Sequence, residues 1–183
     1  MKAFICNGCF GCQFACKDEH VGNDWAPIAK PQPDSGQFWM RVDEYICGQV
    51  PQVRMHYIPN PCNHCDDAPC MKSCLVEGAM YKRDDGLVLI DTDLCTGCKA
   101  CIGACPYDSR YVHPAGYVDK CTFCLHRIQA GKLPACVGVC PTFCLHFGDL
   151  SDPQSDVARM LRERKWKVLH PETGCEPNVY FLT

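Results

Sequence analysis

Apolar and polar residues form ordered patterns over only a few short stretches of this chain. Ala79-Met80-Tyr81-Lys82 and Leu87-Val88-Leu89-Ile90 flank the turn Asp84-Asp85-Gly86, which predicts a strand, a turn and a strand. Trp39 to Ile46 and Gln52 to Tyr57, split by Pro51, read as two more strands able to pair as a second hairpin. A strand is expected from Cys144 to Phe147 and a last one from Asn178 to Leu182. Pro153 after Asp152 marks a helix start, and Val157, Met160 and Leu161 give a helix over Gln154 to Arg164 its apolar stripe. No apolar stretch approaches the length of a membrane span. The 183 residues suffice for one ordinary domain or two small fused ones, but cysteine-rich loops occupy much of them.

Cysteine changes the picture most. The chain has 19 cysteines, and sixteen fall into four runs of four. Run one is Cys6, Cys9, Cys12 and Cys16, spaced C-x2-C-x2-C-x3-C. Run three, Cys95, Cys98, Cys101 and Cys105, repeats that spacing and adds Pro106. Run two is Cys62, Cys65, Cys70 and Cys74 (C-x2-C-x4-C-x3-C). Run four is Cys121, Cys124, Cys136 and Cys140 (C-x2-C-x11-C-x3-C), followed by Pro141.

Three chemistries compete for these thiols. A disulfide scaffold fits the abundance, but the chain is not short and neighbouring cysteines stand two residues apart. Structural zinc uses C-x2-C pairs, yet needs neither a third cysteine at x2 nor a fourth at x3 before proline. The spacing of runs one and three is that of bacterial 4Fe-4S ferredoxins. C-x2-C-x2-C wraps three iron atoms of a cubane in one tight loop, with small residues such as Gly8, Gly11 and Gly97 letting N–H groups face the sulfurs. The fourth cysteine begins or rides a helix that points away, and so reaches the other cluster of a pair.

Order along the chain suggests the pairs. Runs two and three, separated by the short hairpin, form an inner module, and runs one and four close around it as an outer one. The expected ligand sets are Cys6, Cys9, Cys12 and Cys140 for cluster 1, and Cys121, Cys124, Cys136 and Cys16 for cluster 2. Cys62, Cys65, Cys70 and Cys105 are expected to hold cluster 3, and Cys95, Cys98, Cys101 and Cys74 cluster 4. Iron bound through these sixteen cysteines is the metal expected. The fold class expected is α+β, with two bacterial-ferredoxin-like 2×(4Fe-4S) modules in one chain. The four-cluster unit would span residues 1–150, with a hairpin and loop insertion at 17–61 and an inner module at about 62–107. A helix–strand extension at 151–183 would pack on that unit or on a partner.

The formal charge of −3 understates the loaded protein. Each oxidised 4Fe-4S site with four thiolates adds about −2, which takes the total to about −11. That disfavours nucleic acid as a partner. It also calls for cations and donors nearby: Lys17, Lys72, Lys99 and Lys120 lie within two residues of run cysteines, as tuning groups or as solvated surface lysines. His64 and His126 stand beside ligand positions with the same two readings. Cys144 is expected as a small buried hydrophobe, and Cys47 and Cys175 receive no chemistry. No catalytic constellation is visible, so the chain reads as wiring rather than as an enzyme. With no leader or twin-arginine pair, a cytoplasmic location is the default, unless a signal-bearing partner carries the chain outside.

The longest specific stretches are YIPNPCNHCDDAPC (Tyr57 to Cys70), DDGLVLIDTDLCTGCKACIGACPY (Asp84 to Tyr107) and KCTFCLHRIQAGKLPACVGVCP (Lys120 to Pro141). Through them nearly the whole chain resembles the four-cluster iron–sulfur subunits of molybdopterin oxidoreductases of the DMSO-reductase type. ACKDEHVGNDW (Ala15 to Trp25) and PETGCEPNVYF (Pro171 to Phe181) are most similar to the small subunits of pyrogallol-phloroglucinol transhydroxylase and the catechol dehydroxylases. The arsenate respiratory reductase small subunit is similar around runs two and four. Lys17 and Leu75 replace a proline that often follows the fourth cysteine, a residue that shapes a loop and ligates nothing.

The resemblance implies a non-catalytic electron-transfer subunit in a heterodimer. Its large catalytic partner would hold molybdenum or tungsten on two pterins (Mo/W-bis-pterin), with an electron donor protein or membrane anchor as a further partner. It implies first a phenolic or catechol substrate, dehydroxylated or transhydroxylated by the partner. The alternatives are another respiratory reductase of the family (arsenate, polysulfide/thiosulfate or DMSO type), a free-standing polyferredoxin and, more remotely, a structural zinc protein.

Overall fold

The structure, a computed structural model, describes residues 1–2, 5–34 and 36–183. Helix α1 (Gly11–His20) leads to strands β1 (Arg41–Gln49) and β2 (Gln52–Asn60), then α2 (Pro69–Lys72), β3 (Met80–Lys82), β4 (Val88–Ile90) and α3 (Ala100–Gly103). Strands β5 (Tyr111–Val112) and β6 (Val118–Asp119), helices α4 (Leu125–Gln129), α5 (Ala135–Gly138) and α6 (Asp156–Glu163), and strands β7 (Trp166–Lys167) and β8 (Phe181–Leu182) complete the chain. The strands form four separate antiparallel pairs, each joining consecutive strands. Mixed helices and small sheets make the fold α+β. Among the described residues no helix is long and apolar enough to cross a membrane.

The four cysteine runs share one backbone turn. The residue just before the second cysteine is left-handed in each: Gly8 at φ 68°, His64 at 43°, Gly97 at 66° and Phe123 at 53°. Glycine is required in two of them by space as well as angle. A Cβ on Gly97 would lie 2.0 Å from the Gly116 carbonyl oxygen, and one on Gly8 would lie 2.4 Å from the Tyr57 ring. A side chain in this conformation costs on the order of 1–2 kcal/mol. His64 and Phe123 offset this by stacking on each other, ring centroids 4.1 Å apart at 23°.

Two buried clusters follow the runs. One gathers Cys12, Cys16, Cys121 and Cys140 with Trp39, Met40, Val42 and Tyr111. The other gathers Cys65, Cys70 and Cys101 with Val88, Tyr107, Val118 and Cys175. Cys62 belongs to the first cluster although its run lies in the second. Helix α1 packs on α5, and α2 on α3. Along α1 the buried residues are Cys12, Cys16 and His20. A spacing of four places them on one helix face, one turn apart.

Trp39 ties the segment before β1 to β6. Its Nε1–H donates to the Asp119 carboxylate at 2.9 Å, which also accepts from the Tyr111 hydroxyl at 3.0 Å. Burial raises the Asp119 pKa, and these donors oppose that shift. Trp39→Ala is expected to destabilise the loaded protein by about 3–5 kcal/mol. Trp39→Phe, which keeps the packing but removes a donor from a buried carboxylate, should cost about 1–3 kcal/mol. Denaturant midpoints of the loaded variants check both values and their order.

Both expected hairpins are present, and the longer one pairs from Arg41↔Asn60 to Gln49↔Gln52. Three other expectations are corrected. Helix α6 starts at Asp156, not at Gln154. The Ser155 side chain caps it by accepting from the Ala158 N–H at 3.2 Å, while the Asp152 carboxylate is spent on a turn at the Gln154 N–H. No strand runs from Cys144 to Phe147. The Cys144 N–H donates to the Cys140 sulfur and its carbonyl accepts from the Lys2 N–H, so neither is free for a ladder. The final strand shortens to Phe181–Leu182, because the Asn178 N–H is taken by the Asn63 carbonyl.

The C-terminal segment packs on run two and on the N-terminus. The N–H groups of Asp66 and Asp67 donate to the carbonyls of Glu176 and Cys175, and that of Leu182 to Met1.

Candidate iron–sulfur centres

All nineteen cysteines are free thiols. Burial, in most cases with neighbouring thiols, opposes ionisation of eight run cysteines. Burial, then Cys6 and Cys140, pushes the Cys12 thiol up to about 11, with Cys9 adding to the effect. Burial, then Cys124, pushes Cys16 up to about 12. Cys121 and Cys136 are raised well above the ordinary thiol value, by burial first and then by Cys16 and Cys124. Cys65 is raised by burial, Cys175, Cys62 and Cys70. Cys70 is raised by burial and interacts with Cys62 and Cys105. Cys101 is raised by burial and by Cys95, Cys74 and Cys98.

Several of these interactions cross from one run to another: Cys12 with Cys140, Cys16 with Cys124, Cys70 with Cys105 and Cys101 with Cys74. Others link these groups in turn: Cys12 with Cys136, and Cys62 with Cys121. Cys16, Cys121, Cys124 and Cys136 all line one cavity of about 760 Å³, whose apolar wall includes Leu125, Val137 and Leu145. Cys62, Cys65, Cys70 and Cys105 line a second, small cavity together with Tyr107 and Arg110.

Donors point at the sulfurs. The N–H groups of Phe123 and Val118 donate to Cys121 and Cys95 at 3.3 and 3.4 Å. Cys140 accepts from the Cys144 N–H at 3.4 Å and lies 3.7 Å from the Thr142 hydroxyl. Burial opposes ionisation of Cys140 too, but the N–H groups of Leu145 and Cys144 outweigh it and hold its pKa below the ordinary thiol value.

The donor set fits iron–sulfur clusters. Among the described residues no three His, Cys, Asp or Glu side chains converge closely enough to hold one ion, as tetrahedral zinc at about 2.3 Å from each sulfur requires. Buried thiols that repel one another's ionisation are stable as thiolates only around a cationic body.

Residues 53–150 match the model of the 4Fe-4S dicluster domain family. The chain belongs to the 4Fe-4S dicluster iron–sulfur subunits of oxidoreductases. It is 40% identical over 182 residues to the B subunit of the tetrathionate reductase of Salmonella typhimurium, covering 97% of this chain and 68% of that one. The arsenate respiratory reductase iron–sulfur subunit ArrB of a Shewanella species is 35% identical, with 97% and 92% covered. The B subunit of the sulfite dehydrogenase of Allochromatium vinosum is 38% identical, with 97% and 79% covered.

In this iron–sulfur subunit the four lysines near the runs divide by burial. Lys120 is buried and donates to the Val88 carbonyl and, at 3.0 Å, to that of Cys121. Lys17 bonds the Pro33 and Gln37 carbonyls, Lys72 pairs with Asp67 in solvent, and Lys99 is exposed. His64 is buried and accepts at Nδ1 from the Val88 N–H at 3.1 Å. His126 bonds Glu19 at 2.9 Å and stacks on Trp25.

Sequence reasoning missed four contacts of the subunit. His20, fully buried, places Nε2 3.5 Å from the Cys124 sulfur, and burial holds its pKa down at about 3. A signal for it exists in its position four residues beyond Cys16 on a helix. Arg110 is buried with Nη2 2.7 Å from the Cys70 sulfur. Cys144 and Cys175, outside the runs, are buried against the sulfurs of Cys140 and Cys65. Nothing in the local sequence marks Arg110, Cys144 or Cys175.

Proposed function

We propose that this chain is the electron-transfer subunit of a reductase complex, with the four thiol groups each holding one 4Fe-4S cluster in two ferredoxin-like modules. The observation that supports the reading is that run cysteines interact across run boundaries, Cys12 with Cys140, Cys16 with Cys124, Cys70 with Cys105 and Cys101 with Cys74. The two separate buried clusters and the α1–α5 and α2–α3 pairings support the modules. A bound 4Fe-4S cluster supplies one-electron chemistry over a wide range of potentials. The chain's own residues hold the thiolates, exclude water and set their charge surroundings. Cys12 beside Cys136 joins the first group to the second, and Cys62 beside Cys121 joins the third to the second. The line of transfer then runs from the first group to the fourth.

The catalytic chemistry belongs, on this reading, to a large partner with a Mo/W-bis-pterin centre. The relatives are named for tetrathionate, arsenate and sulfite, none of them a phenol. A respiratory-type reductase of such oxyanions is therefore adopted ahead of a phenolic substrate.

The β1–β2 hairpin is the proposed docking arm. Ile46 and Met55 pair across its strands, and both are exposed, with Tyr45, Val50 and Val53. Such an apolar hairpin, projecting alone, marks an interaction surface. The purified subunit is expected to carry about 16 iron atoms and to bring down a stoichiometric large subunit. Ile46→Asp with Met55→Asp should release that subunit and leave the iron in place. A colourless zinc protein, or a monodisperse monomer active alone, would sink the reading.

A further inference from the structure

The four candidate centres receive very different help from this chain. Cys140 of the first group accepts from the Cys144 N–H at 3.4 Å and contacts the Cys144 thiol and the Thr142 hydroxyl at 3.4 and 3.7 Å. In the second group the contacts include the Phe123 N–H at 3.3 Å, the His20 imidazole at 3.5 Å and the Gln32 amide at 3.9 Å. The fourth group receives the Val118 N–H at 3.4 Å. In the third group Arg110 donates from Nη2 to the Cys70 sulfur at 2.7 Å. Among the described residues this is the only guanidinium bonded to a run cysteine, and the contact is the shortest of those above.

We propose that the site framed by Cys62, Cys65, Cys70 and Cys105 is the highest-potential centre of the four, and that the Arg110 guanidinium makes it so. This rests on the four-cluster reading above. Arg110 is 5% exposed and remains charged in any protein environment. Among the described residues its other side-chain contact is the Met80 sulfur at 3.8 Å, and it forms no ion pair with a carboxylate. It interacts with Cys62, Cys70, Cys101 and Cys105, three of them from this group.

An electron arriving at a site adds one negative charge and, here, needs no proton. A fixed positive charge hydrogen-bonded to a ligand sulfur, away from solvent screening, stabilises that added charge. Lys120 lies between Cys62 and Cys121, so its influence is divided between the second and third sites. Arg110 is a positioning residue that acts through Cys70 rather than on any substrate. Its effect is to make an interior site of the line a holding point for one electron.

Stepwise reduction of the intact complex with dithionite, followed by EPR, tests this. The first signal to appear should be the one altered or lost in Cys70→Ser. Arg110→Gln should make reduction at that site at least about tenfold less favourable, about 59 mV for one electron, with the signals of the first and second sites unmoved. Arg110→Lys should recover part of the shift. A first signal untouched by Cys70→Ser overturns the proposal, as does an unshifted one in iron-replete Arg110→Gln. If Arg110→Gln loses iron, the Cys70→Ser comparison alone decides, because it leaves Arg110 in place. Iron content and signal number in the unaltered complex test the four-cluster reading separately. Fewer than four centres there would count against that reading, not against the order of reduction.

Discussion

Replacing Cys16 by serine is expected to strip the centre of run four and spare that of run one. Cys16 lies in the run-one motif, yet besides Cys12 it interacts with Cys124, Cys121 and Cys136 of run four. The cause is helical geometry. Cys12 and Cys16 share one face of α1, about 6 Å apart along the axis. The same helix face therefore reaches one group with its first turn and the next group with its second. Packing of α1 on α5 brings Cys136 to that second turn. Iron should fall from about 16 to about 12 atoms per chain, with one EPR signal lost. Loss of the signal that Cys9→Ser also removes, with the run-four signal intact, would show that the fourth cysteine does not cross over.

Removing all the iron is expected to abolish the cooperative fold. Helices α2, α3 and α5 have four residues each. Isolated helices shorter than about 12–15 residues are marginal in water. Strands β5 to β8 have two residues each, and a lone hairpin is marginal too. Much of both buried clusters is cysteine whose sulfur would face either metal or a void. Structural metal binding contributes about 10–16 kcal/mol in small zinc domains, against a total stability of about 5–15 kcal/mol for ordinary domains. Loss of four clusters therefore exceeds any stability left. Anaerobic chelation should replace a sharp thermal transition by a broad one and erase the near-UV circular dichroism. A chelated protein with an unchanged sharp transition would mean that the apolar core suffices without metal.

Much of the site is legible in the sequence because ligand spacing is local. A turn that holds two cysteines three positions apart needs a left-handed residue between them, and Gly8 and Gly97 advertise it. His64 and Phe123 do not, since their strain is relieved by a stack between residues 64 and 123 that no local pattern encodes. The hairpin around Asp84-Asp85-Gly86 is legible for the same local reason as the glycines. The start of α6 is not, because two capping residues, Asp152 and Ser155, stand three apart and only packing selects between them.

The sequence by itself determined the number and spacing of the thiols, the short elements between them and the tight turns that seat them, because each depends on residues within a few positions. Only the tertiary structure decided what surrounds those thiols. Arg110 meets Cys70 across forty residues of chain, His20 meets Cys124 across 104, and Cys175 closes over Tyr107 across 68. Buried charges and donors act on a thiol through space at distances of about 3 Å, and sequence separation carries no information about that distance.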